Sequence, residues 1–246
     1  GATAHLGDGT VIENSLIMFN NGKITFVGKA EMKIARQGTV INAKGKHVYP
    51  GFIAVNTTLG LVEVNSVKAS VDVQELGTMN PHIRSLIAYN AESKVVETMR
   101  PNGILMGQIT PIGGRISGTS SVVQFDAWNW EDAAIKVDDG VHMNWPTDVV
   151  PVSRRNHLGR INPNYVKSVN VLDDYMNEAK VYLKGSNSPK NLELEAMSGL
   201  FNNTQKLYMH VNGEREITDA VNFANKHKVN LVVVGGGYAH NVSDIL

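Results

Sequence analysis

The sequence predicts an α/β protein with a small β-rich piece at its N-terminus. After residue 50, apolar stretches of strand length alternate with stretches of helical period. That order is the pattern of parallel βα units in a barrel or a doubly wound sheet. The first fifty residues read instead as short strands and tight turns. A length of 246 residues allows one large domain or two modest ones.

The elements follow in chain order. Ser15 to Phe19 and Ile24 to Val27 flank Asn20-Asn21-Gly22-Lys23. An Asn-Gly pair between apolar runs predicts a hairpin, because a type I′ turn needs positive φ at both central residues. Ala43-Lys44-Gly45-Lys46 predicts a second turn between Thr39–Ile41 and His47–Tyr49. Pro50-Gly51 then punctuates, and Phe52 to Val55 starts an apolar strand expected to be buried on both faces. Further strands are expected at Ile104–Ile109, Lys206–Met209 and Leu231–Val234. Helical spacing of Val166, Val169, Leu172, Met176, Ala179 and Leu183 predicts a helix over Tyr165–Leu183. Others are expected at Leu192–Leu200 and at Glu216–His227, where Ile217, Ala220, Val221 and Ala224 share a face. Gly60–Arg100 and Thr110–Arg160 lack a clean period and read as long excursions from the scaffold, which in α/β folds usually serve a site or an interface.

Composition narrows the chemistry. There are 23 basic and 23 acidic residues and no cysteine. Zero net charge argues against a broad nucleic-acid or anionic-membrane surface. Without cysteine there is no disulfide, zinc finger, iron–sulfur cluster or thiol nucleophile. No apolar run approaches the roughly 20 residues of a transmembrane helix. GATAHLGDG shows no signal-peptide pattern, and a start at Gly1 reads as a mature or trimmed product.

Three stretches carry a resemblance. NGKITFVG followed by GKHVYPGFIAVNTTLG resembles the opening of the amidohydrolase superfamily, particularly its imidazolonepropionase-like branch. MRPNGILMGQITPIGGRISGTSSVV resembles that family's second-strand region and the glycine-rich loop after it. LEAMSGLFNNTQKLYMHVNGEREITDAVNFANKHKVNLVVVGG resembles its fifth-strand histidine region, the next helix and the sixth strand. The resemblance implies a (β/α)8 TIM-type barrel over residues 51–246 and a small N-terminal β-sandwich part over 1–50. Barrels take roughly 250 residues, so about six strand–helix units fit after the β-unit. The barrel is therefore expected to be incomplete in this chain, with the rest of the same polypeptide or a partner chain completing it.

The resemblance also implies a metal site, and the sequence departs from it. Active members hold one or two divalent ions between imidazoles. The first-strand pair falls at Asn56 and Thr58, the fifth-strand histidine at His210, and the sixth-strand histidine at Gly235. Amide and hydroxyl oxygens are poor zinc ligands, and a lone histidine does not hold zinc. His210 is thus expected to be a residual metal ligand or a binding residue, with no cofactor in a degenerate site and zinc or another divalent ion in an active one. Gly113, Gly114, Arg115 and Ser117 form a candidate substrate loop that could cradle an anion. His142 and His240 flank strand-like segments without ligand spacing, and Trp128, Trp130 and Trp145 read as core or interface.

Two functions follow as expectations. One is a catalytically degenerate, pseudoenzyme-like binding or assembly component with a small-molecule or peptide ligand. The other is an active hydrolase of cyclic amide or peptide-like C–N bonds. The resemblance leans toward exported or periplasmic bacterial proteins. Neither nucleic acid nor a membrane span is expected.

Overall fold

The computed structural model describes residues 1–35, 37–153, 156–185 and 189–246. Two compact units emerge, Gly1–Phe52 and Ile53–Leu246.

The first unit is built on a four-stranded sheet in the order β3-β2-β1-β4. Its strands are β1 (Ala2–His5), β2 (Val11–Asn20), β3 (Lys23–Lys29) and β4 (His47–Val48). The β2–β3 hairpin turns as the sequence predicts: Asn21 at φ +49 and Gly22 at φ +73 supply the two positive angles, and Asn20 pairs with Lys23. Strand β1 was not anticipated; its Ala2 and Ala4 are buried, and it runs parallel to β4. Thr39–Ile41 is not a strand, and Val40 and Ile41 lie exposed.

The second unit carries a six-stranded sheet in the order β12-β11-β8-β7-β6-β5. Its members are β5 (Phe52–Thr57), β6 (Ile104–Ile109), β7 (Ile116–Gln124), β8 (Ala134–Asn144), β11 (Lys206–Val211) and β12 (Leu231–Gly235). A separate antiparallel pair is formed by β9 (Val149–Ser153) and β10 (Asn156–Ile161). The four strands expected from the sequence are all present. The sheet is mixed, however. β8, β11 and β12 run parallel, whereas β7 is antiparallel to both β6 and β8. Thr110–Arg160 is therefore not a mere excursion, since it supplies two interior strands. Its small, polar run Ile116-Ser117-Gly118-Thr119-Ser120-Ser121 hides the apolar signal, yet all six residues are buried. β5 also departs from expectation. It ends the sheet, and Phe52, Ile53 and Val55 are exposed instead of buried.

The helices are α1 (Lys94–Met99), α2 (Trp130–Ala133), α3 (Tyr165–Lys184), α4 (Leu192–Ala196), α5 (Ser198–Phe201) and α6 (Glu214–His227). None of them is long and apolar enough to cross a membrane, among the described residues. α3 buries Tyr165, Leu172, Met176 and Ala179, while Val166 faces out; α6 buries Ile217, Ala220, Phe223 and Ala224. They pack on Val141 and Met143 of β8 and on Leu207, Met209 and Val211 of β11. Each large side chain so buried contributes about 1.5–3 kcal/mol. A second core gathers Leu86, Tyr89, Val96, Ile109, Val123 and Phe125.

Two local devices fix α6. Glu216, in its first turn, accepts hydrogen bonds from Gly213 N (3.0 Å) and Asp148 N (2.9 Å), tying the loop after β8 to the helix start. At the other end, His227 donates from Nε2 to Asp173 on α3 (2.8 Å), and Lys180 Nζ donates to its Nδ1 (2.9 Å). That arrangement requires a neutral imidazole, and burial lowers the His227 pKa even against the Asp173 hydrogen bond.

Gly140 marks the tightest approach in the sheet. A Cβ there would meet Lys206 O at 2.4 Å and the Tyr208 ring at 2.6 Å. Gly140→Ala is therefore expected to destabilise by about 1–3 kcal/mol, outweighing the entropy an alanine recovers. A urea unfolding midpoint that stays put or rises would show that β8 and β11 do not meet this closely.

Candidate functional site

Strand alternation builds the site. On β8 and β11 the odd residues Val141, Met143, Leu207 and Met209 face the helices, so the even residues His142, Asn144, Tyr208 and His210 share the other face. The register sets Tyr208 beside His142 and His210 beside Asn144. Gln108 from β6 and Ser120 from β7 complete a polar set linked by hydrogen bonds.

At its centre stands His142, fully buried. Its Nδ1 lies 2.9 Å from His210 Nε2, and its Nε2 lies 2.8 Å from Ser120 Oγ. Its ring stacks on Tyr208, with centroids 4.6 Å apart and planes 3° from parallel. Gln108 Nε2 donates to Ser120 Oγ (3.2 Å) and to Asp139 Oδ2 (3.1 Å). Asp139 also receives the Tyr208 hydroxyl and Lys136 Nζ. Asn56 N donates to Gln108 Oε1 (3.2 Å), which ties the end of β5 to the same chain of bonds.

The electrostatics follow from this wiring. Burial, reinforced by the neighbouring His210, pushes the His142 pKa down to about 3. Burial also lowers that of His210. Burial alone would raise the Asp139 carboxyl, but the hydrogen bonds from Lys136 and Tyr208 outweigh it and hold the acid below its ordinary value. The result is one buried carboxylate and two neutral imidazoles. When Ser120 donates to Gly140 O (3.3 Å), His142 donates to Ser120 and receives from His210. When Ser120 donates to His142 instead, the bond to Gly140 O is given up and the His142–His210 bond reverses, His142 Nδ1 donating to His210 Nε2. Ser120 has no exposed surface, so its hydroxyl is a link in this relay with no access for a substrate carbonyl.

The other expected site residues fall around this core. Asn56 sits in a left-handed conformation (φ +49), and Thr58 lies one residue beyond the end of β5. The two therefore lack the regular strand backbone that puts residues i and i+2 on one face. Gly235, at φ +92, holds a backbone conformation that strains any L side chain, and a Cβ there would also displace the Asn212 amide and press on Val211 O at 3.2 Å. The offered donors, an amide, a hydroxyl and no side chain at all, do not fit zinc. Among the described residues, no three His, Cys, Asp or Glu side chains converge as a metal site.

The glycine-rich loop is pinned from within. Asn144 Nδ2 donates to Gly113 O, Gly114 O and Ser117 Oγ, while Arg115 donates to Asn144 O at 2.8 Å. The amides of Arg115 and Ile116 both go to Thr78 O. Those two N–H groups, which an anion cradle would use, are thus already spent inside the protein. His240 lies exposed in the 3-10 turn after β12, its ring against Tyr238. The tryptophans do not form one cluster. Trp145 is buried in the helix-facing core and donates to Tyr165 OH (3.0 Å), Trp130 packs against the second core, and Trp128 is 86% exposed beside a cleft of about 780 Å³.

Ser120, Gln108, Asp139 and Tyr208 were missed as site residues. The available signal was the polar residue at every second position in Tyr208-Met209-His210 and His142-Met143-Asn144, inside otherwise apolar strands.

No family model and no curated protein matches the chain. Among solved structures, an amidohydrolase from Thermotoga maritima MSB8 superposes with a TM-score of 0.73 at 20% sequence identity. The match covers 94% of this chain and 62% of that one, so the chain spans somewhat under two thirds of its neighbour's length. Over nearly all of its residues, the chain shares the fold of that amidohydrolase.

Proposed function

We propose that the chain is an amidohydrolase-superfamily barrel, of the imidazolonepropionase-like branch, whose metal site is degenerate and whose polar interior serves binding or assembly. One observation carries the reading. His210, the histidine that the resemblance puts in the metal site, spends its Nε2 on His142 within a neutral relay ending at Ser120. The positions the resemblance assigns to the other imidazoles hold Asn56, Thr58 and the side-chain-free Gly235. A metal-activated water needs a metal, and this donor set does not hold zinc. The shared fold supports the superfamily, although a barrel alone does not specify an activity.

The test is zinc that depends on His210. Purified protein is stripped with chelator, reloaded with zinc, dialysed and analysed for metal beside a His210→Ala variant. Both should carry the same amount, well under one ion per chain. A near-stoichiometric zinc that His210→Ala removes would revive the active hydrolase and end the degenerate-site reading.

A further inference from the structure

The first unit holds a second pair of imidazoles. His5 closes β1 and His47 opens β4, and these strands run side by side with Thr3 paired to His47 and Ala4 to Val48. One more step in this register sets His5 beside Tyr49. Because residues i and i+2 of a strand share a face, His5, His47 and Tyr49 stand together on one side, while Ala2 and Ala4 are buried on the other. His5 Nε2 and His47 Nδ1 lie 2.9 Å apart. The Tyr49 ring stacks on His5 at 4.2 Å and 9°, and His47 stacks on His5 at 5.2 Å. Both the pair and the phenol are open to solvent.

We propose that His5 and His47 form a two-imidazole chelate for a late first-row divalent cation, Cu(II) or Ni(II), with water completing the coordination. Imidazole nitrogen suits these ions, and copper stands at the top of the affinity order for such ligands. Geometry selects among them. Two nitrogens each about 2.0–2.1 Å from one ion and 2.9 Å apart subtend about 90°. That is the bite of a square-planar or tetragonal centre, whereas a tetrahedral zinc would need about 3.3 Å between the nitrogens. The stack on Tyr49 holds the His5 ring plane, so part of the ordering cost is met before the ion arrives. In the hydrogen bond the two nitrogens aim at each other, and binding turns the rings so that both lone pairs converge on the ion. In the apo protein one of the facing nitrogens carries the proton that bridges them. On binding, that proton moves to the other nitrogen of its own ring, and both facing nitrogens become donors.

This pair lies wholly within residues 1–52, so the claim does not depend on the reading of His210. The experiment is a calorimetric titration of the whole chain with Cu(II), repeated on His5→Ala, His47→Ala, their double variant and His240→Ala. His240 is an exposed histidine elsewhere and controls for scattered binding. One Cu(II) per chain is expected, with affinity falling roughly tenfold or more in either single variant. His240→Ala should bind as the parent does. Tyr49→Phe keeps the stack and should also bind normally. All positions are exposed or half-exposed, and circular dichroism confirms that each variant folds. A double variant binding Cu(II) as tightly as the parent overturns the proposal, as does a parent with no Cu(II) site at all.

Discussion

Replacing His142 by alanine is expected to destabilise the protein by about 3–5 kcal/mol, a large part of the marginal stability of an ordinary domain. Two costs add. The ring is fully buried against Tyr208, so its removal leaves a cavity the sheet cannot close without moving backbone. It also takes the hydrogen-bond partner from His210 Nε2 and one of three from Ser120 Oγ, which keeps Gln108 Nε2 and Gly140 O. Ser120→Ala removes only the far end of the relay and should cost about 1–2 kcal/mol. In the double variant the two losses should sum to less than their separate values, because either substitution already breaks the bond between them. Denaturant unfolding of the four proteins measures this directly. A His142→Ala loss under about 1 kcal/mol, or strict additivity with Ser120→Ala, would mean that the relay does not hold the sheet together.

The sequence made the scaffold legible where its pattern is local. The Asn21-Gly22 turn, the helical spacing in α3 and α6, and the apolar runs of β6, β11 and β12 each announce themselves within about a dozen residues. It failed where burial is polar. β7 is an internal strand over much of its length, yet Ser117 to Ser121 are all serine, glycine or threonine, small side chains that leave room between two strands for Gln108 and His142. Such a strand carries little apolar period to read. Gly118 shows the crowding, since a Cβ there would meet Ile83 O at 2.6 Å. The candidate site divides the same way. His210 stood out because a motif surrounded it, whereas His142 became central only when pairing placed it between β7 and β11. Ser120, 22 residues away in the chain, is its hydrogen-bond partner, and no spacing rule links the two. Asn144 illustrates a third case. Its amide holds the glycine-rich loop closed, through partners about thirty residues earlier that no local pattern connects to it.

Acid should unfold this protein from the inside. In the unfolded chain His142 takes up a proton near its ordinary pKa of 6.5, whereas in the folded protein burial delays that step to about pH 3. Below 6.5 the unfolded state therefore binds more protons, and stability falls as pH falls. The stabilisation is complete above pH 6.5 and is lost progressively down to pH 3, at about 1.4 kcal/mol per pH unit for this one group. Over the whole window that approaches 5 kcal/mol, comparable to the total stability of many domains. His210 and His227 are lowered in the same direction, by burial first, and steepen the slope. Asp139 and Asp173, whose burial alone would raise them but whose hydrogen bonds hold them below 3.8, begin to withdraw their contribution near that value, at the lower end of the histidine window, and lose it as pH falls further. Histidine thus governs the upper part of the transition and carboxylates the lower part. High salt should leave the histidine part in place, because desolvation screens poorly. Stability measured by urea unfolding between pH 7 and 4.5 should show this slope. In His142→Gln, which keeps a polar side chain and cannot titrate, the slope should drop by about one proton. The imidazole resonances of His142 should show no titration above pH 4 in the native protein. A flat stability profile from pH 7 to 4.5, or a slope unaltered by His142→Gln, would refute the assignment of a buried neutral imidazole at the centre of the sheet.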